Sequence, residues 1–193
     1  MGMNYSLTQE SILNAAENLI QKRGYNAFSY KDIATIVGIK TSSIHYHYPC
    51  KEDLAIAVIH WQLQRIVISL DKIKGQKDLT TKHKILALID AIISLTFSDE
   101  KKMCLGGMLA SDALSLPEVV QSKVRYFFST IDNWIEEIMT EGRQLGEVNL
   151  LYPIDGFAHL LILQIEGALL MSRLYDDVAH INLVKQFINH VMN

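Results

Sequence analysis

The sequence predicts an all-α fold, a three-helix head followed by a helical-bundle body. The three prolines, at positions 49, 117 and 153, each stand where a helical pattern begins rather than inside one. Long stretches repeat apolar residues at the 3.6-residue helical period. Residues 29–54 place two brief helical segments on either side of a glycine stop. No internal repeat or low-complexity tract interrupts these patterns.

The first helix is expected over Thr8 to Lys22, with Ile12, Leu13, Ala16, Leu19 and Ile20 as its apolar stripe and Gly24 as its stop. Tyr25 and Phe28 fill the core of the head. The second helix, Tyr30 to Val37, starts at Ser29, with Asp32 three residues on as a variant capping box. Ile33, Ala34 and Val37 share one face. Gly38 provides the turn, because glycine enters left-handed backbone space without strain. The third helix, about Thr41 to Tyr48, has Ile44 as its one plain core anchor. Around Ile44 lie Lys40, Thr41, Ser42, Ser43, His45, Tyr46 and His47. A short helix dense in hydroxyls, histidines and aromatics, held by one apolar residue after a tight turn, is suited to reading a DNA major groove.

The fourth helix, Lys51 to Lys74, carries Leu54, Val58, Trp61, Leu63, Ile66, Leu70 and Ile73 and is expected to be buried along its length. It is also expected to be the only link between a head of residues 1–50 and a body of residues 51–193. The body reads as five helices: Thr80 to Phe97, Cys104 to Leu114, Pro117 to Leu145, Pro153 to Leu174 and Val178 to Val191. A polar connector, Ser98 to Lys102, separates the first two of these. Glu136, Glu137 and Glu141 read as a solvated face of the long helix.

The segment 28–54 resembles the DNA-binding region of the TetR family of bacterial regulators. The matching pieces are Phe28-Ser29, Asp32-Ile33-Ala34, Val37-Gly38-Ile39, Ser43 to Tyr48, and Lys51-Glu52-Asp53-Leu54. Ser42 stands where the family often has glycine, and Cys50 where it has a serine or asparagine cap. In the body, Met103 to Leu109 with Asp112, and Glu166 to Leu170, resemble one branch of the family. The resemblance implies a homodimeric transcriptional repressor that binds a palindromic double-stranded DNA operator and is released by a small-molecule effector. On this reading His45 faces the groove floor, Tyr46 and His47 approach phosphates, and Ser29 and Lys51 clamp the backbone on either side. The alternative is a helical ligand-binding or interaction protein that keeps the head fold without binding DNA.

Composition agrees with a body unlike its head. Residues 1–74 hold 8 basic against 6 acidic side chains, +2, whereas residues 75–193 hold 10 against 15, −5. Apolar residues make up 49% of the chain, ample for a core. No uninterrupted apolar run of ~18 residues supports a membrane span. The start, MGMNYSLTQE, lacks the basic and apolar regions of a secretory signal. Two cysteines in unrelated contexts, Cys50 and Cys104, fit a reducing cytoplasm.

Candidate effector contacts are Met103, Cys104, Met108, Phe127, Trp134, His159, Gln164 and Met171, whose methionines and aromatics suit an adaptable apolar pocket. The helix from Pro153 is apolar almost all round. With the small residues Ala158, Gly167 and Ala168 it suggests a four-helix dimer interface through Ala158, Leu161, Ile165, Ala168, Phe187 and Val191. His45, His47, Cys50 and His60 do not converge as a metal cluster, since residues two apart on a helix point ~200° from each other. No paired carboxylates, nucleophile and base, or cofactor motif indicates an enzyme.

Overall fold

A computed structural model of the chain describes residues 5–96, 102–150 and 152–192. Residues 1–4, Phe97 at the expected end of the fifth helix, and residues 98–101 of the polar connector lie outside them. Among the described residues there are nine α-helices: α1 (Leu7–Arg23), α2 (Tyr30–Val37), α3 (Thr41–His47), α4 (Lys51–Gly75), α5 (Thr81–Thr96), α6 (Leu105–Ser111), α7 (Glu118–Gln144), α8 (Ile154–Tyr175) and α9 (Ala179–Val191). A 3₁₀ turn, Ala113–Ser115, follows α6. The all-α expectation holds, and the helix boundaries fall close to those read from periodicity.

The chain divides into two compact units. Unit 1 runs to Arg65 and adds Leu105–Phe127. Here α1 packs against α2 and α6, and α2 packs against α3. Ile12, Leu13, Ile20, Ile33, Ile44, Leu54 and Val58 are wholly buried. Serine caps start the first two helices. The Ser6 hydroxyl accepts the Gln9 N–H, and Gln9 reaches back to the Ser6 N–H at 3.1 Å. At α2 the Asp32 carboxylate accepts both the Ser29 N–H, at 2.7 Å, and the Ser29 hydroxyl, at 2.6 Å. Gly38 ends α2 at φ 75°, ψ 33°, the left-handed conformation the turn requires.

One expectation about this unit is corrected. Helix α4 is not the only tie to residues 1–50, because Asp112, just past α6, accepts the Tyr25 N–H at 2.7 Å. A side chain at Gly24 would place its Cβ 2.8 Å from the Asp112 carboxylate. Asn26 adds a donor to the Ser115 hydroxyl at 2.7 Å. These contacts join segments ~90 residues apart, which no local pattern reveals.

Helix α4 is less evenly buried than its pattern suggested: Trp61 and Ile73 are half-buried, while the polar Gln62 is buried. The reason is a polar network. Gln62, at 2.9 Å, and Arg65, at 2.7 Å, both donate to the buried Glu17 carboxylate, and Trp61 donates to Asn14 at 3.1 Å. A buried carboxylate persists when its acceptor sites are satisfied in this way.

Unit 2 comprises Ile66–Cys104 and the chain from Phe128 on. Here α8 packs against α9, and α5 packs against α9. Ile85, Leu88, Ile89, Ile135, Met139, Leu161, Leu169 and Ile188 form the centre of its buried apolar set. The Glu147 carboxylate accepts the N–H and hydroxyl of Thr81, both at 2.7 Å, and so joins the start of α5 to the segment after α7.

Helix α8 is the one helix among the described residues long and apolar enough to cross a membrane, but it is two-sided. Phe157, Ala158, Leu161, Ile165, Ala168 and Leu169 are buried. Leu160, Leu163, Leu170 and Leu174 are exposed, as are Leu183 and Phe187 on α9. Four residues expected at a dimer interface, Ala158, Leu161, Ile165 and Ala168, are therefore occupied in the chain's own core. Ala158 is 0% and Leu161 1% exposed. Their small or branched side chains serve close packing within one chain. Phe187 is exposed and Val191 half-buried, so these two remain accessible to a partner.

Candidate functional site

Helix α3 has one buried side chain, Ile44, and its other side chains are exposed or half-buried. Lys40, Thr41, Ser42, His45 and Tyr46 are exposed, and Ser43 and His47 half-buried. Tyr46 is 84% exposed, and its ring meets His47 edge-on at 5.1 Å between centroids. Ser42, Ser43, Tyr46 and His47 line a shallow concavity together with Thr8 from the first turn of α1. Sequence reasoning missed Thr8. It belongs to a different helix, and only the packing of the head brings it beside α3.

Three side chains expected to meet DNA, Ser29 and Lys51 at its backbone and His45 at the groove floor, are differently engaged. Lys51 turns inward. Its ammonium donates to the Phe28 carbonyl and lies 4.1 Å from the centre of the Phe28 ring and 4.9 Å from that of Tyr25. Burial pushes its pKa below the ordinary lysine value, against the pull of Asp32 and Asp112. An ammonium bound between two aromatic faces and a carbonyl is a brace for the head rather than a free phosphate clamp. Ser29 is exposed, but its hydroxyl and N–H are both committed to Asp32, whose carboxylate is held below its usual pKa range by those same bonds. A negative charge thus already occupies the start of α2, where a phosphate was expected. His45 turns sideways onto the ring of Tyr30, at 4.6 Å, with Nδ1 3.2 Å from the Pro49 carbonyl.

The start of α4 also differs from its family-like cap. Cys50 is exposed, and Asp53 does the capping: its carboxylate accepts the Cys50 N–H at 3.3 Å and the thiol at 3.0 Å. Among the described residues no histidine, cysteine or carboxylate group of three or more gathers as a metal site.

The candidate effector residues separate by burial. Met103, Cys104, Phe127 and Trp134 are buried, Met108, Gln164 and Met171 half-buried. The His159 side chain is 66% exposed, with Nδ1 3.5 Å from the Asp132 carboxylate, so it is a surface residue in the single chain. Cys104 is a buried thiol, as expected, and its partner is acidic: the thiol hydrogen-bonds Glu166 on α8. Burial raises the Glu166 pKa, and the thiol contact lowers it by less. A carboxyl whose pKa is raised in the folded chain contributes stability below its unfolded value of 4.5 and loses it as pH rises through the folded value. Glu166→Gln is expected to unfold at a higher temperature than the parent chain at pH values well above 4.5, with the gap closing toward acid. Thermal melts across pH check this, and an identical pH profile in both proteins counts against it.

Residues 12–58 match the family model for bacterial regulatory proteins of the tetR family, and residues 81–188 match that for the tetracyclin repressor-like C-terminal domain. The structure of a TetR transcriptional regulator from Legionella pneumophila superposes with a TM-score of 0.91 at 44% identity, covering 99% of this chain and 100% of that one. A TetR-family regulator from Agrobacterium tumefaciens superposes at 0.87 with 26% identity, covering 96% and 98%. Among curated relatives, a helix-turn-helix-type transcriptional regulator from the lacX 3' region of Lactococcus lactis subsp. lactis is 27% identical, covering 91% of this chain and 88% of that protein. The regulator UidR of Escherichia coli (strain K12) is 22% identical over 74% of this chain and 69% of its own length.

Proposed function

The chain belongs to the TetR family and is a DNA-binding transcriptional regulator, and on that footing we propose that it is a homodimeric repressor released from a palindromic operator by a small-molecule effector. The observation that carries the DNA-binding part is helix α3. One buried isoleucine anchors it, and the polar and aromatic side chains around that anchor are exposed or half-buried. Residues 1–50 form the DNA-reading domain on this reading, and residues 51–193 the effector-binding and dimerisation domain.

Dimerisation rests on two supports. A single short helix reads only a few base pairs, whereas two copies on a twofold axis reach major grooves ~34–36 Å apart. The exposed leucines of α8 recur at positions 160, 163, 170 and 174, with Gly167 between them, along one stripe of the helix. Leu183 and Phe187 extend the apolar surface onto α9. Two copies of this surface make a four-helix interface. A Cβ added at Gly167 would meet nothing within 4 Å in the single chain, which leaves room for a second backbone to approach. An effector bound in the body displaces the operator only to the extent that it prefers one conformation over the other. No cofactor or metal enters this scheme, and the setting is the cytoplasm.

Selection of genomic fragments by the purified protein, at stated salt, tests the proposal. The expected product is one palindromic sequence family. Tyr46→Ala is expected to weaken binding to every sequence alike by loss of a backbone contact. Changes at Lys40 or Ser43 are expected to shift base preference, each lost base contact being worth ~1–3 kcal/mol. A folded protein whose operator affinity ignores all of these positions is not read through α3.

A further inference from the structure

The His45 ring on the reading helix is seated by a carbonyl oxygen and by an aromatic ring. Its Nδ1 lies 3.2 Å from the Pro49 carbonyl oxygen, and its face meets the Tyr30 ring at 4.6 Å with 54° between the planes. The seat is itself held in place. The Tyr30 hydroxyl sits between the Tyr48 carbonyl, at 2.9 Å, and the Cys50 carbonyl, at 2.6 Å. Two side chains, Tyr30 and His45, thus engage the three successive carbonyls of residues 48, 49 and 50, the connector from α3 to α4. Pro49 at its centre has no N–H and a restricted φ. The ring of Tyr48 is buried below.

A carbonyl oxygen only accepts, so the Nδ1 facing it must carry the hydrogen. In a neutral imidazole the other nitrogen, Nε2, is then an acceptor. His45 is exposed on the reading helix. We infer that His45 is a specificity-determining residue that presents a bare Nε2 to the major groove and selects a base with an exocyclic amino group, adenine N6 or cytosine N4, with Tyr30 as the positioning residue that holds this tautomer.

The inference rests on the DNA-reading assignment of α3 and deepens it. In the major groove only adenine and cytosine offer amino donors, while guanine and thymine turn acceptors toward the same region. A phosphate also only accepts, so the neutral ring in this tautomer does not serve as a backbone contact. This differs from the role of Tyr46, whose hydroxyl can donate. A tautomer set by a carbonyl on the far side of the ring is the same device that orients histidines in other sites, where the partner of one nitrogen decides what the other can do.

The test uses the full-length chain in two measurements. First, imidazole nitrogen NMR, under conditions that keep the ring neutral, is expected to show the His45 hydrogen on Nδ1. The Nε2–H form overturns the inference. Second, duplexes chosen by the wild-type protein are compared with His45→Ala and Tyr30→Phe. At one position of each half-site the wild type is expected to prefer adenine or cytosine by roughly five- to tenfold. His45→Ala is expected to abolish that preference. Tyr30→Phe, which keeps the ring and removes the hydroxyl, is expected to reduce it and to mix the two tautomers, which a purely structural role would not do. Replacing the selected base with an analogue lacking the amino group is expected to cost the wild type the same factor and His45→Ala nothing. The wild-type half of that arm uses unaltered protein, so loss of the amino group is read even where a variant folds poorly. Sequence-selective binding indifferent to His45 and to the amino group overturns this inference alone. Wild-type protein that binds every duplex equally overturns the regulator reading with it.

Discussion

Leu163→Glu combined with Leu170→Glu is expected to give a folded monomer with little operator affinity. Both leucines are exposed in the single chain, at 67% and 52%. Surface substitutions at such positions usually change stability by ~0.5 kcal/mol or less. In a four-helix interface the same positions meet their twofold copies, and each glutamate becomes a buried charge without a partner. That costs several kcal/mol per site. Loss of the dimer unlinks two reading helices, and linkage of two weak sites is worth ~10² or more in apparent affinity. Sedimentation and fluorescence anisotropy on one sample check both halves. A double variant that stays dimeric and binds operator normally removes the leucine row from the interface. Wild-type protein that is monomeric in solution but binds lipid vesicles through this row identifies a membrane as its occupant instead.

Ala168→Glu, on the opposite side of the same helix, is expected to unfold the chain rather than divide a dimer. Ala168 is 8% exposed, and the space beside it is an apolar void of ≈ 10 Å³ lined by Ile89, Ile93, Ile165, Leu169, Ile181 and Val184. That volume cannot admit a carboxyethyl group, and every neighbour is hydrocarbon. The carboxylate must displace the core or remain buried without a hydrogen bond, at several kcal/mol, against a total stability of ~5–15 kcal/mol for a domain. Insoluble protein, or a melting temperature far below that of the Leu163 and Leu170 variant, is the expected result. An Ala168→Glu protein that melts like wild type and is merely monomeric reverses the assignment of the two faces.

The contrast between these variants marks the boundary of what was legible beforehand. The sequence by itself determined the helices, because proline, glycine and serine act through local backbone chemistry, and helical periodicity is a local signal. It pointed to Ile44 as the one anchor of α3, because one isoleucine among seven polar or aromatic neighbours leaves only one face to bury, and the structure buries that residue. It also determined that α8 carries more apolar surface than one face requires. It did not determine which face of α8 turns inward. On a helix apolar nearly all round, periodicity has no phase to report, and small residues such as Ala158 and Ala168 suit packing inside a chain as well as between chains.

Only the tertiary structure decided that choice, and it decided three side chains of the DNA-reading region in the same way. The place of Lys51 at a helix start suits a phosphate clamp, but the Phe28 carbonyl, 23 residues away, binds its ammonium. The position of His45 on the helix points it at the groove floor, and Tyr30 and the Pro49 carbonyl decide which of its nitrogens carries hydrogen. Thr8 joined Tyr46 and His47 with no signal in the sequence at all. In each case the deciding partner is distant along the chain or set by a turn's exact geometry. The reach of a long or flat side chain is settled by the nearest competing partner in space, and a linear pattern does not encode that distance.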